Sequence, residues 1–247
     1  MTGKHIEIAT PDGTCRAGLF APRGETTQAG VILYMDAFGL RPALDAMAER
    51  LSRDGYWVLV PDLYYRQGDY PVYDGRTAFA NEESATKIRG MMAATTQAMT
   101  QQDTAFFIDA LTQAGATGPI GTTGYCMGGA RALNGAAAHP GRIAAAASFH
   151  GGRLATDAPD SPHRNVGSIR ARVYVGCAGV DQSFPPEQSA VLAEALRTAE
   201  VDHIIENYVG MAHGWAVPDN NAHDPAGAER HWGRLTTLCR ETLRGRA

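Results

Sequence analysis

The run Gly124-Tyr125-Cys126-Met127-Gly128 sets a nucleophilic side chain between two glycines, each two residues away. It is entered from Ile120-Gly121-Thr122-Thr123, which reads as a strand, and left through Gly129-Ala130-Arg131-Ala132-Leu133, which reads as a helix. A strand that turns sharply into a helix strains the residue at the turn and crowds its second neighbours, so both must be small. Cys126 therefore occupies the position of an attacking atom, and a thiol there can add to an ester-like carbonyl to form an acyl-enzyme. A buried cysteine at a glycine-rich strand end would show the same run, so the reading needs partners. Asp181 closes Gly176-Cys177-Ala178-Gly179-Val180-Asp181, a loop after the apolar Val173-Tyr174-Val175 and just ahead of Pro185-Pro186. His213 lies in Gly210-Met211-Ala212-His213-Gly214-Trp215, after Ile204-Ile205, with small residues around it. In that constellation His213 takes the Cys126 proton, while Asp181 fixes the imidazole tautomer and stabilises the imidazolium. The oxyanion then needs two backbone N–H donors. Met127 follows the nucleophile, and Ala37 lies in Asp36-Ala37-Phe38-Gly39 after the strand-like run 32–35.

These loops require a scaffold. Alternation in residues 4–9 and 15–20 about Pro11-Asp12-Gly13 predicts an antiparallel hairpin. Near-continuous apolar runs at 30–35, 56–60, 120–123, 144–149 and 172–175 predict strands buried on both faces, hence a parallel sheet. Helical patterns at 42–53, 101–114, 127–138 and 186–198 lie between them, the last opened by Pro185-Pro186. The expectation is an α/β fold: a mostly parallel, doubly wound sheet with flanking helices and an N-terminal hairpin. Residues 201–208 read as a late strand, and 225–244 as a closing helix with Leu235, Leu238 and Leu243 on its apolar side. Residues 70–100 break the rhythm and read either as a cap or pocket wall or as an ordinary surface helix with a loop. On this scaffold the order nucleophile, acid, histidine, with the last two on loops after late strands, is the order of α/β-hydrolases.

Composition bounds the function. The 247 residues fit one domain spanning 1–247, and 44% hydrophobic with 19% charged residues is ample for a core. A net charge of −4 with scattered Lys and Arg offers no electrostatic footprint for nucleic acid or an anionic membrane, so the expected ligand is small. No segment approaches a membrane span and the first residues lack a signal-peptide pattern, which makes the cytoplasm the expected location. Cys15, Cys126, Cys177 and Cys239 lie far apart without a C-x-x-C pair, so reduced thiols are expected. The eight histidines lack metal-ligand spacing, and no metal or cofactor is expected.

Asp36-Ala37-Phe38-Gly39, Pro61-Asp62-Leu63-Tyr64-Tyr65-Arg66, Gly124-Tyr125-Cys126-Met127-Gly128-Gly129, Asp181 and His213-Gly214-Trp215-Ala216 together resemble the dienelactone hydrolase family across nearly the whole chain. The resemblance implies a cofactor-free α/β-hydrolase with a Cys126-His213-Asp181 triad, acting on activated esters or lactones as a monomer or small homo-oligomer. The best-known members carry Glu where this chain has Asp36, and that carboxylate holds the cysteine as a resting thiol; the resemblance thus implies a thiol-tuning role for Asp36, one methylene shorter. Members acting on dienelactone also clamp the substrate carboxylate with two arginines. The position four after the triad histidine is Val217 here, and Arg89 is the candidate that the polar stretch offers. Without a bidentate clamp the expectation moves to a different, neutral substrate. Phe38, Tyr64, Tyr65, Arg66 and Trp215 adjoin the proposed chemistry and could line an aromatic pocket, although packing also accounts for aromatics at strand ends.

Three rival readings share the elbow. A class I glutamine amidotransferase would show glutamate two residues after its histidine, where this chain has Trp215. A non-catalytic α/β-hydrolase fold kept as a small-molecule binding module would not require an intact triad. Acyl transfer to an acceptor other than water is indistinguishable from hydrolysis at the level of sequence.

Overall fold

The computed structural model describes residues 3–244. β1 (Gly3–Thr10) and β2 (Gly13–Phe20) form the N-terminal hairpin, turned at Pro11-Asp12. There follow β3 (Gly30–Tyr34), α1 (Pro42–Arg53), β4 (Trp57–Pro61), α2 (Glu82–Ala94) and α3 (Gln97–Ala114). The chain continues through β5 (Ile120–Tyr125), α4 (Met127–Ala138), β6 (Ile143–Phe149), β7 (Arg172–Val180), α5 (Pro186–Thr198), β8 (His203–Ala212) and α6 (Pro225–Leu243). The eight strands form one sheet in the order β1-β2-β4-β3-β5-β6-β7-β8. β2 runs antiparallel to β1 and β4, and every later pairing is parallel, as expected for strands apolar on both faces.

Helices cover both faces. α1 and α6 share one side, where Arg50 holds Glu229 at 2.6 and 2.7 Å and lies over the Trp232 ring. α3 packs on α4 on the other side. Every residue of α4 except Ala138 is buried, which its small side chains allow; Arg131 is the one charged residue among them. α3 begins at Gln97 rather than 101 because Thr96 caps it, its hydroxyl accepting from the Met99 N–H. No helix among the described residues is long and apolar enough to cross a membrane.

β7 and β8 run farther than the sequence predicts. Residues 176–180 and 210–212, expected as loops, continue the two strands, with a register shift between Ala178 and Val180, until Val180 pairs with Ala212. Gly176, Gly179 and Gly210 read as strand breakers, yet Gly179 is needed: a Cβ there would lie 2.6 Å from the Tyr208 carbonyl oxygen.

Candidate active site

The sharp turn is present. Cys126 leaves β5 with φ 56° and ψ −120° and opens α4, a backbone region that a non-glycine residue holds only when its surroundings enforce it. A Cβ on Gly128 would lie 2.5 Å from the Tyr34 and Met35 carbonyl oxygens, and one on Gly124 would overlap the Gly128 carbonyl. The end of β6 anchors the strained residue, since the Cys126 N–H donates to the Phe149 carbonyl at 3.2 Å and to His150 Nδ1 at 3.1 Å. His150 is held well below the ordinary histidine pKa by burial, then by the nearby His213 and His231, which keeps Nδ1 an acceptor.

The second half of the site comes from the β7–β8 extension. Asp181 and His213 directly follow the paired Val180 and Ala212, so two residues 32 positions apart become neighbours. His213 Nδ1–H donates to Asp181 Oδ2 at 2.7 Å, and Asp181 Oδ1 accepts from the Ser183 N–H at 2.8 Å and the Ser183 hydroxyl at 2.6 Å. Burial works to raise the Asp181 pKa, but the His213 and Ser183 donors outweigh it and hold the carboxyl below its usual range. Burial likewise opposes charge on His213; Cys126 and Asp181 overcome it and raise the imidazole to about 10. With Nδ1 committed to Asp181, Nε2 is the nitrogen left for the sulfur.

Cys126, Met127, Ser183 and His213 line a cavity of about 560 Å³. Residues of the 70–100 stretch, Arg89, Met92 and Thr96 among them, form one wall, and Arg153 and Thr156 stand on another. That polar stretch is therefore a pocket wall. Tyr64 does not line the cavity: fully buried, its hydroxyl donates to the Ala37 carbonyl at 3.1 Å and lies 3.2 Å from Met127 Sδ, bracing both loops at once.

Asp36 and Arg66 are corrected by their ion pairs, and Phe38, Tyr65 and Trp215 take the packing alternative. Asp36 is held by Arg41, whose Nη1 and Nη2 donate to its two oxygens at 2.6 and 2.8 Å, and it also accepts the Phe38 N–H at 3.1 Å. Arg41 reaches Asp219 as well, at 2.6 and 2.8 Å, so this carboxylate pins a loop and is not free to hold a thiol. Arg66 lies away from the cavity, clamped on Asp103 at 2.7 and 2.8 Å and on Asp12. Phe38 packs on Phe79 with ring centroids 5.2 Å apart, and Tyr65 bonds Thr10 and Asp103. Trp215 is core, stacked on Tyr208 at 4.5 Å and edge-on to His150 at 5.0 Å; large rings at strand ends bury area.

The sequence reading missed Ser183, His150, Arg153 and Arg131. Ser183 and His150 sit just past the C-terminal ends of β7 and β6, the edge where parallel sheets gather their chemistry, which is a usable signal. Arg131 was visible as a lone charge in a helix of small residues.

The dienelactone hydrolase family matches residues 15–243. The chain belongs to that family. An Escherichia coli O157:H7 relative, provisionally named carboxymethylenebutenolidase, is 27% identical over 209 residues, covering 83% of this chain and 74% of the relative. The solved structure of a provisionally titled dienelactone hydrolase from Klebsiella pneumoniae gives a TM-score of 0.83 at 21% identity, covering 96% of this chain and 97% of that one. P91, titled a dienelactone hydrolase-like promiscuous phosphotriesterase from metagenomic libraries, gives 0.77 at 22% identity and covers 98% of each chain. The two structures share the α/β-hydrolase fold. As a dienelactone hydrolase family member, the protein is a hydrolase of ester or lactone bonds acting on a small molecule.

Proposed function

We propose that the protein cleaves activated esters or lactones through an acyl-enzyme, with Cys126 as nucleophile, His213 as base and Asp181 as the group that orients the imidazole. The observation carrying this reading is that Cys126 and His213 line one cavity while Asp181 holds His213 Nδ1 at 2.7 Å, the sulfur and the carboxylate together raising the imidazole. The Cys126 sulfur adds to the substrate carbonyl while its proton resides on His213, and the carbonyl electron pair moves onto oxygen. The Met127 N–H, in the first turn of α4, and the Ala37 N–H receive that oxyanion. Collapse breaks the ester bond; the departing alkoxide takes the proton from His213 Nε2, leaving a thioester. A water deprotonated by His213 then attacks, and a second collapse releases the acid and returns the thiol. Asp181 stays ionised throughout. Asp36 acts at one remove, holding the Asp36-Ala37-Phe38-Gly39 loop through Arg41.

The test is turnover of p-nitrophenyl esters and small lactones, dienelactone included, by wild type, Cys126→Ala and His213→Ala, with mass spectrometry of the trapped protein. Cys126-dependent turnover with an acyl group on the Cys126 peptide supports the reading. A folded wild type giving neither turnover nor adduct overturns it in favour of a binding module.

A further inference from the structure

The loop after β6 grips the backbone of Cys126 from both sides. The Cys126 N–H lies between two acceptors, the Phe149 carbonyl at 3.2 Å and His150 Nδ1 at 3.1 Å, while the Cys126 carbonyl accepts the Gly152 N–H at 3.3 Å. These contacts fix the rotations on either side of the Cys126 Cα, and each governs a different part of the site. The N–H side sets the direction in which Cβ carries the sulfur. The carbonyl side sets the plane of the Cys126–Met127 peptide, in which the Met127 N–H points opposite to that carbonyl. A loop that holds both groups therefore aims the thiol and the oxyanion donor together. The approach is close: a Cβ on Gly129 would lie 2.8 Å from the Gly151 Cα, so glycine in α4 is what admits the loop.

The same loop reaches the other half of the site. The His150 N–H donates to the Gly176 carbonyl of β7 at 2.9 Å, and the Arg153 N–H donates at 2.7 Å to the carbonyl of Ser183, the residue whose N–H and hydroxyl hold Asp181. His150 occupies this place at a cost. Its backbone sits in the left-handed region at φ 39°, which a non-glycine residue holds only when its surroundings enforce it. The side chain is 1% exposed, and because Nδ1 accepts from Cys126, the proton of the neutral ring sits on Nε2, a buried donor with no acceptor among the described residues. The ring stands edge-on to those of His213 and Trp215, each at 5.0 Å. An apolar side chain would fill this space without an unmet donor, so packing does not account for a histidine. The Nδ1 acceptor does.

We propose that His150 is a positioning residue for the reaction, holding the Cys126 N–H through Nδ1 so that the sulfur and the Met127 N–H stay aimed at one substrate carbonyl. The inference rests on the esterase reading of the same site. With the Phe149 carbonyl as sole acceptor the N–H is still satisfied, but the peptide is free to swing and the strained φ of Cys126 to relax. The loss then falls on the transition state, where attacking atom and oxyanion donors must be in place together, and not on substrate binding.

The experiment compares two amides that mimic different ring nitrogens. In His150→Asn the side-chain oxygen stands where Nδ1 stood, and asparagine tolerates the left-handed backbone; in His150→Gln it stands where Nε2 stood. On p-nitrophenyl acetate, His150→Asn is expected to keep kcat within about threefold of wild type, whereas His150→Gln and His150→Leu lose about 10- to 100-fold in kcat with KM nearly unchanged. A residue that only packs would rank Gln and Leu, closer to histidine in volume, above Asn. That ranking, or equal kcat in all three variants, overturns the proposal. NMR of the histidine ring nitrogens, with His150 assigned by the signal lost in one of its variants, reads the contact without turnover: a neutral ring with its proton on Nε2 is expected, and a proton on Nδ1 overturns the proposal. A folded wild type without Cys126-dependent turnover would sink the esterase reading, while the ring tautomer still decides whether His150 holds the Cys126 N–H.

Discussion

Replacing Arg41 by Met tests how the loop bearing the Ala37 donor is held. Arg41 bridges two carboxylates of different exposure: Asp36 is 2% exposed, whereas the Asp219 side chain is 28% exposed. Without Arg41, Asp219 can return to water, but Asp36 keeps only the Phe38 N–H at 3.1 Å. Removing one partner of a buried pair costs about 3–5 kcal/mol because a charge is left buried, and a single residual donor places Arg41→Met at about 3–4 kcal/mol. In Asp36→Asn the amide oxygen still accepts, and Arg41 keeps Asp219 at 2.6 and 2.8 Å, so the loss should be about 1–2 kcal/mol. Urea unfolding followed by tryptophan fluorescence measures both, and because the pair is buried the difference should survive 1 M salt. Equal destabilisation by the two variants would refute the asymmetry. An Asp36→Asn variant of unchanged stability but altered Cys126 alkylation rate would refute loop pinning altogether and return Asp36 to the thiol.

His213, raised from 6.5 to about 10, should be observed by NMR as charged at neutral pH, and its midpoint should fall in Cys126→Ala, which removes the sulfur that raises it. Because the folded value exceeds the unfolded one, the charged imidazole stabilises the fold fully below about pH 6.5 and loses that contribution as pH rises through about 10; the stability gap between wild type and His213→Gln should narrow across that interval. Asp181, held low, contributes above its ordinary value and loses that contribution as pH falls. Gly124→Ala forces a Cβ onto the Gly128 backbone and should destabilise by about 3 kcal/mol while abolishing turnover, as urea unfolding and an ester assay would report together. The buried Cys177 and Cys239 thiols, pushed up by burial to about 11 and about 12, should resist iodoacetamide at neutral pH while Cys126 reacts, so a peptide map showing equal labelling would contradict the assignment.

The elbow was legible in the sequence because everything that makes it is local: a strand, a turn that excludes side chains at Gly124 and Gly128, and a helix of small residues. The strand and helix pattern was legible for a related reason, since an element buried on both faces must be apolar throughout and a helix beside it must be apolar on one side. Asp181 and His213 could be named from chain order, but their 2.7 Å contact depends on β7 and β8 pairing as far as Val180 and Ala212, through glycines that read as loops. Only the tertiary structure decided the partners of the charges. Asp36 meets Arg41 because Asp219, 178 residues beyond that arginine, closes the other side of its guanidinium, and Arg66 is taken by Asp103 on α3. Among the described residues Arg131 has no ion-pair partner, and its Nε and Nη1 find no acceptor. Periodicity records which face of an element is buried; which charges meet is set by loops far apart in the chain, and that information lies in no local stretch of sequence.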